Sequence, residues 1–301
     1  MRIGIDVGGT KIEGIALDAS GGVLKRIRIP APRNDYHLTV EAIAGMVAEL
    51  EADAEGGASI GIGIPGALSP ATGLVKNANS TWLNGRPLQA DLETTVGRPV
   101  RLANDANCFA LSEATDGAAA GAGVVFGVIL GTGCGGGIAV HGRILTGPNV
   151  ISGEWGHNPL PWPGDDEWPG PPCYCGRTGC IETFLSGPGL AAGYAASGGD
   201  AVDAIEIVRR VAAGHDALAE ACLQRYEDRL ARALTALINL LDPDVIVLGG
   251  GLSNIERLYR NVPPVLRPFG DEPARTRLVK AAHGDSSGVR GAAWLWDACQ
   301  A

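Results

Sequence analysis

The chain has 301 residues, of which 46% are apolar and 19% charged. That is enough to bury a core but too long for one comfortable hydrophobic centre, so two lobes are expected. Its 24 Lys and Arg stand against 33 Asp and Glu, a formal charge of −9, which argues against nucleic acid as a partner because phosphate backbones are held by clustered basic side chains. No apolar run reaches the ~18 residues of a membrane span, and MRIGIDVGG lacks a basic segment followed by an apolar stretch, so a soluble, cytoplasmic protein with no membrane partner is expected.

Residues 2–7 alternate Ile3, Ile5 and Val7 at period two and predict a strand; Gly8-Gly9-Thr10 turns the chain, and Ile12, Ile15 and Leu17 complete a hairpin. Residues 38–50 carry Ile43, Val47 and Leu50 at helical spacing. Residues 59–64 predict a buried strand stopped by Pro65-Gly66, and 99–103 predict another that ends at Asn104-Asp105. Residues 106–114 then read as a helix that either Asn104 or Asp105 can cap. An apolar strand over 124–130 runs into a segment with glycine at 131, 133 and 135–137. Residues 159–172 are rich in Pro, Gly, Asp and Trp and predict a long irregular loop, of the kind that is usually functional or mobile. Residues 218–241 form a long amphipathic helix with Leu230, Leu234, Leu237 and Leu241 on one face, ended by Asp242-Pro243. A strand over 244–248 leads into Gly249-Gly250-Gly251, and 288–298 predict a closing helix. The alternation of strands and helices makes the class α/β. The strand-then-glycine turn occurs after 7 and again after 130, which suggests two related lobes with a cleft between them.

Five segments carry chemistry. In Asp6-Val7-Gly8-Gly9-Thr10-Lys11 the glycines let backbone N–H groups approach a phosphate, Thr10 adds a hydroxyl, Lys11 a charge, and Asp6 can hold Mg²⁺ directly or through water; a plain hairpin turn is the alternative. Gly131-Thr132-Gly133 offers a second such turn, where close approach of backbone to a polyphosphate explains the glycines better than a packed strand does. Gly249, Gly250 and Gly251 follow a strand, where nucleotides commonly bind in α/β folds. Asn104-Asp105 lies at a strand end, where Asp105 can accept the proton of an attacking hydroxyl or serve only as a helix cap.

The fifth is His157, Cys173, Cys175 and Cys180. One imidazole and three thiolates satisfy tetrahedral zinc, and the site would pin both ends of the 159–172 loop; reduced, unliganded thiols are the alternative. Cys108, Cys134, Cys222 and Cys299 are scattered and read as core or surface thiols. Zinc on one ring nitrogen of His157 would leave the other to hydrogen-bond a sugar hydroxyl, with Glu154 and Glu182 close in sequence; each Glu can equally be a solvated surface charge.

The order DVGGTK, GIGIPG, NDAN, GTGCGGG, then GEWGH with CYCGRTGC-IE resembles the ROK family of repressors, open reading frames and sugar kinases over essentially the whole chain. The resemblance implies an actin-like ATPase (ribonuclease H-like) fold in two lobes. Residues 1–115 with 287–301 would make the smaller lobe, and 116–286 the larger lobe with the zinc site and a homodimer interface. It implies that Asp6, Gly8, Gly9, Thr10 and Lys11 meet the phosphates of ATP and Mg²⁺, that Gly131, Thr132 and Gly133 form the second phosphate loop, and that Gly249–Gly251 lie near the adenosine. Asn104 would bind a hydroxyl of a free hexose and Asp105 would be the general base. Glu154, His157 and Glu182 would hold further hydroxyls, and Gly66 and Asn79 would line the other wall. His157, Cys173, Cys175 and Cys180 would hold structural zinc.

Within the family, KNANSTWLNG at 76–85, GEWGHNPLPW at 153–162, PCYCG through IETFLSG at 172–187 and HGDSSGVRGAAWLW at 283–296 are similar to the fructokinase subgroup, which also accepts mannose. N-acetylglucosamine kinase or glucokinase activity is the nearer alternative. A sugar-sensing repressor would carry a helix-turn-helix segment before the phosphate strand, and the strand here begins at Arg2. A non-catalytic sugar-binding module is opposed by the presence of Asp105 and both phosphate loops.

Overall fold

The computed structural model describes residues 1–52 and 57–296. The chain opens with β1 (Arg2–Val7), β2 (Lys11–Leu17) and β3 (Val23–Pro30), an antiparallel meander in which Asp6 pairs opposite Glu13. Helix α1 (Tyr36–Glu51) follows, and its first turn is capped by Asp35, whose carboxylate accepts from the Leu38 N–H at 3.0 Å. Next come β4 (Ser59–Ile64), the short hairpin β5 (Ala67–Leu68) and β6 (Val75–Lys76), α2 (Leu88–Val96), β7 (Arg101–Asn104) and α3 (Asp105–Thr115). The first sheet has the order β3-β2-β1-β4-β7, with β4 parallel to β1 and β7 parallel to β4.

The remainder comprises β8 (Val124–Leu130), β9 (Cys134–Val140), β10 (Arg143–Ile144), α4 (Ile181–Leu185), α5 (Gly187–Ala196), α6 (Ala204–Ala213), α7 (Ala217–Leu241), β11 (Val245–Gly249), α8 (Leu258–Asn261), β12 (Arg277–Lys280) and α9 (Ser287–Trp294). The second sheet has the order β10-β9-β8-β11-β12, with β11 parallel to both β8 and β12. Counted in chain order, the two sheets have the same strand order. This is the repeat that the two strand-then-glycine turns foreshadow.

Among the described residues, contacts group 1–52, 57–121, 137–152 and 282–296 into one unit, and 122–136 with 153–281 into another. In the first unit, Ile3, Ile5, Ile60 and Ile62 pack against Ile43, Met46 and Val47 of α1 and Leu88 and Leu92 of α2. A second cluster joins Ile15 and Leu17 to Cys108 and Leu111 of α3 and to Val289, Ala292 and Trp294 of α9. Helix α9 lies so close to the sheet that a Cβ on Gly4 would strike the Val289 carbonyl oxygen, and one on Gly61 the Ala292 carbonyl oxygen. A Cβ on Gly291 would strike the Cys108 carbonyl oxygen of α3. In the second unit, α7 buries Leu223, Tyr226, Leu230 and Leu234, and β11 is buried throughout. Asp216 caps the start of α7, and Asp242 ends it in the left-handed region at φ 46°.

The predicted closing helix over 288–298 is shorter in the structure, ending at Trp294; its last two positions and Cys299 lie outside the described residues. Asn104, not Asp105, is the cap of α3, because its side-chain oxygen accepts from the Ala106 and Asn107 N–H groups. The 159–172 loop is better tied down than its composition predicts. Glu167 is buried and receives hydrogen bonds from Arg229 at 2.7 Å and Arg232 at 2.8 Å, both on α7. Burial alone would raise this carboxyl, but those two guanidinium groups hold it at about 2.

The glycine contacts predict opposite effects for two similar substitutions. Gly61→Ala should lower the free energy of unfolding by about 1–3 kcal/mol, because the new methyl meets backbone that cannot move aside. Gly45→Ala, on an exposed position of α1 with open space around it, should raise it by about 0.5–1 kcal/mol. Denaturant titration of both variants checks this; equal effects would mean that α9 does not constrain the sheet.

Candidate functional site

In the first unit, the C-terminal ends of β1 and β7 bring two carboxylates into the same neighbourhood. Asp6 ends β1 pointing toward α9. Gly63 and Gly288 leave room for it, since a Cβ on either would stand 3.4 Å from an Asp6 carboxylate oxygen. Burial pushes the Asp6 carboxyl up to about 7, reinforced by the negative charges of Asp105 and Glu13 and opposed by Lys11. A carboxylate held this way gains from any cation that arrives with a ligand, which is the chemistry expected of a residue that helps to hold Mg²⁺.

The Gly8-Gly9 turn is closed by a hydrogen bond from the Gly8 N–H to the Lys11 carbonyl at 2.9 Å. Lys11 itself turns to the buried Glu13, with its ammonium 3.8 Å from a Glu13 oxygen. Asn104 accepts from α3 through its oxygen and donates through Nδ2 to the Gly66 carbonyl at 3.3 Å. Gly66 sits at φ 148°, where a side chain would collide with the backbone of Lys76 and Ala78. Asp105 accepts from the Ala106 N–H at 2.8 Å. A cavity of about 520 Å³ is lined by Gly8, Gly9, Arg33, Asn79, Ser80 and Asp105, among others. Arg33 and Ser80 have no signal in the sequence reading, because nothing in PRND or NSTW sets either residue apart from an ordinary loop side chain.

In the second unit, the Gly131 N–H donates to the Gly133 carbonyl at 3.0 Å, and the Gly187 N–H donates to the Gly131 carbonyl at 2.7 Å. The glycine run has other reasons besides a phosphate. Gly133 leaves room for Glu182, whose Oε2 would stand 2.5 Å from an added Cβ and accepts from the Cys134 N–H at 2.8 Å. Gly136 admits the Gly153 carbonyl and the rings of Trp155 and Phe126. Gly131 faces open space, the condition a ligand requires. Near β11, Gly250 takes φ 80° and packs against the Leu130 backbone, whereas Gly251 is open.

His157, Cys173, Cys175 and Cys180 come together, their ligand atoms all within 4.8 Å of one another. The Cys175 and Cys180 sulfurs are 3.6 Å apart, and the Cys173 sulfur is 3.5 Å from His157 Nδ1. Tetrahedral zinc with bonds of about 2.0–2.3 Å places ligand atoms roughly 3.5–3.8 Å apart, so the donor set and these two separations are compatible with that ion. The other imidazole nitrogen is not simply turned outward. Nε2 lies 2.9 Å from the hydroxyl of Tyr174, a largely exposed residue between two of the cysteines that the sequence reading did not single out. Glu154 is exposed beside Trp155, whose buried indole donates to the Gly135 carbonyl at 2.9 Å.

Among the described residues, no helix is long and apolar enough to cross a membrane. The family model described as "ROK family" matches residues 2–299. The chain is 41% identical over 303 aligned residues to the N-acetyl-D-glucosamine kinase of Vibrio vulnificus, covering 98% of this chain and 99% of that one. Among solved structures it is similar to a ROK hexokinase from Thermus thermophilus, with a TM-score of 0.83 and 31% identity over 98% of this chain and 97% of that one. It is also similar to a ROK family glucokinase from Streptomyces griseus in complex with glucose and AMPPNP, with a TM-score of 0.75 and 26% identity over 98% of each chain. The fold is therefore the actin-like ATPase fold of those kinases.

The raised Asp6 carboxyl has a measurable consequence. Below about pH 4 both folded and unfolded Asp6 are protonated and the residue costs nothing; as pH rises to about 7 only the unfolded chain ionises freely, so stability is lost across that window. Asp6→Asn should therefore be more stable than the parent at about pH 8 in Mg²⁺-free buffer, with the gap closing toward about pH 4.5. Urea midpoints across that range check this; a gap that does not change with pH would contradict it.

Proposed function

The chain belongs to the ROK family and is a sugar kinase, and from that premise we propose that it moves the γ-phosphoryl group of ATP onto a hydroxyl of a free hexose, with Asp105 as general base. The observation that carries this is the cavity in which Asp105 and the Gly8-Gly9 turn face the same space, so that one residue can accept a hydroxyl proton beside backbone suited to phosphate. The glucokinase that resembles this chain is described with AMPPNP, an ATP analogue, which supports ATP as the donor.

In this reading, Asp6, Gly8, Gly9, Thr10 and Lys11 attend the phosphates of MgATP. Gly131, Thr132 and Gly133 form the second phosphate turn, and Gly249, Gly250 and Gly251 lie by the adenosine. Bound Mg²⁺ neutralises charge on the phosphate oxygens. Asn104, held by Gly66 and the start of α3, presents its remaining amide hydrogen to the sugar, and Gly66 and Asn79 line the other wall. Glu154, His157 and Glu182 bind further hydroxyls. His157, Cys173, Cys175 and Cys180 hold zinc, which fixes the His157 ring; Tyr174 then gives up or shares Nε2 when a sugar hydroxyl arrives.

The acceptor best supported by the relatives is N-acetylglucosamine, through the Vibrio vulnificus kinase. The sequence reading placed fructose first, and the segments 76–85 and 153–162 are the specific observation that keeps fructose as a second reading. ADP release from MgATP with a panel of free sugars decides between them. Higher kcat/KM on N-acetylglucosamine than on fructose is the expected result; the reverse order would establish the second reading, and no turnover on any hexose would remove the kinase proposal. The zinc assignment has its own test. Cys175→Ser should lose bound zinc by metal analysis and raise the KM for sugar well above any change in the KM for ATP. An unchanged sugar KM in the metal-free variant would separate the cluster from sugar binding.

A further inference from the structure

A phosphoryl group seated in the cavity beside the glycine turn needs positive charge, and the charge of Lys11 is partly met by Glu13. Lys11 is drawn to Glu13, a buried carboxylate that also receives Arg28 at 2.5 Å and has Arg26 at 3.8 Å. Arg33, by contrast, lines the cavity with Gly8, Gly9 and Asp105 and makes no ion pair among the described residues. Its Nε donates to the Gly9 carbonyl at 3.1 Å, which places the guanidinium over the glycine turn and leaves both terminal nitrogens for another acceptor. The chain turns sharply next to it. Asn34 takes the left-handed region at φ 61°, so that Arg33 reaches back over the turn while Asp35 goes on to cap α1.

An independent observation comes from the same wall. Ser80 lines this cavity, is 2% exposed, and its hydroxyl has no hydrogen-bond partner. It lies 3.6 Å from where a Cβ on Gly9 would stand. A buried hydroxyl without a partner is costly, and this one belongs to a residue that lines the cavity.

We propose that Arg33, with the Ser80 hydroxyl, holds the transferring phosphoryl group and afterwards the phosphate of the sugar phosphate product. This rests on the kinase reading above. In the step, Asp105 takes the proton of the sugar hydroxyl, and a lone pair of that oxygen forms the new bond to the γ-phosphorus. The bond from that phosphorus to the β,γ-bridging oxygen breaks, and its electron pair leaves on ADP. Arg33 forms no bond to phosphorus; its terminal N–H groups stabilise the equatorial oxygens as charge moves between the two ends.

The test uses the full chain, MgATP and the best acceptor from the panel, with Arg33→Gln, Arg33→Lys, Ser80→Ala and Asp105→Asn measured side by side. Arg33→Gln should lower kcat by about 100-fold or more, as removal of one preorganised donor does, and should leave the KM for sugar nearly unchanged. Product inhibition by the sugar phosphate should weaken in the same variant. Arg33→Lys should recover part of the loss, because it restores the charge but not the fork of donors, and Ser80→Ala should lower kcat by about five- to tenfold. Arg33 is exposed, so its variants should unfold at the parent temperature. Near-parental turnover in Arg33→Gln with Asp105→Asn inactive would overturn the role of Arg33 and leave the kinase reading standing. A raised sugar KM with unchanged kcat would overturn it too, since Arg33 would then be a ground-state sugar contact. Absence of turnover in the parent removes both readings together.

Discussion

The first unit is organised around one steric condition: the backbone of α9 must touch the backbone of the sheet and of α3. Gly4, Gly61 and Gly291 make this possible, and any side chain at those positions would hold the layers apart. Asp6 lies where the layers meet, with Gly63 and Gly288 shaping the space for its carboxylate. The cost of that placement appears in the raised Asp6 carboxyl. A site that carries unfavourable charge before its ligand arrives is less stable than it could be, and it is better prepared for a cation and a phosphate. The same packing sets α3 at the end of β7, so the helix begins with Asn104 as its cap and Asp105 as its first residue.

Much of this was legible in the sequence. Alternation at Ile3, Ile5 and Val7, glycine after the strand, and leucine spacing in α7 report period-two and helical burial directly. The repeated strand-then-glycine turn anticipated two sheets with the same strand order. The cap of α3 was not decidable, because Asn104 and Asp105 are both good capping residues and only the direction of each side chain separates them. The loop over 159–172 looked irregular because its composition does not reveal that Glu167 finds two arginines about 60 residues away on α7.

The site was legible in part. His157, Cys173, Cys175 and Cys180 converge, their ligand atoms within 4.8 Å of one another. The glycines after β8 have packing roles as well as an open turn: Gly133 and Gly136 admit Glu182 and Trp155, while Gly131 faces open space. Lys11 follows the glycine turn in sequence, and the pleat of β2 brings it within 3.8 Å of Glu13, two residues away on the same face. Arg33 was passed over because it reaches the turn through space, from beyond the end of β3. Tyr174 stands between two cysteines, and nothing in its residue type or spacing marks it as a partner of His157. Acceptor choice sits at the limit of such reasoning. Motif likeness pointed to fructose and the overall relatives point to N-acetylglucosamine, because a few side chains near the sugar decide it while the whole chain is compared.

The central claim is that Asp105 removes the proton from the attacking sugar hydroxyl. Its most direct test is Asp105→Asn, which keeps size and much of the hydrogen bonding but cannot act as a base. In this variant kcat should fall by about 100-fold or more while the unfolding temperature and the KM for MgATP stay near the parent values. Turnover close to that of the parent, in a variant shown to be folded, would contradict it.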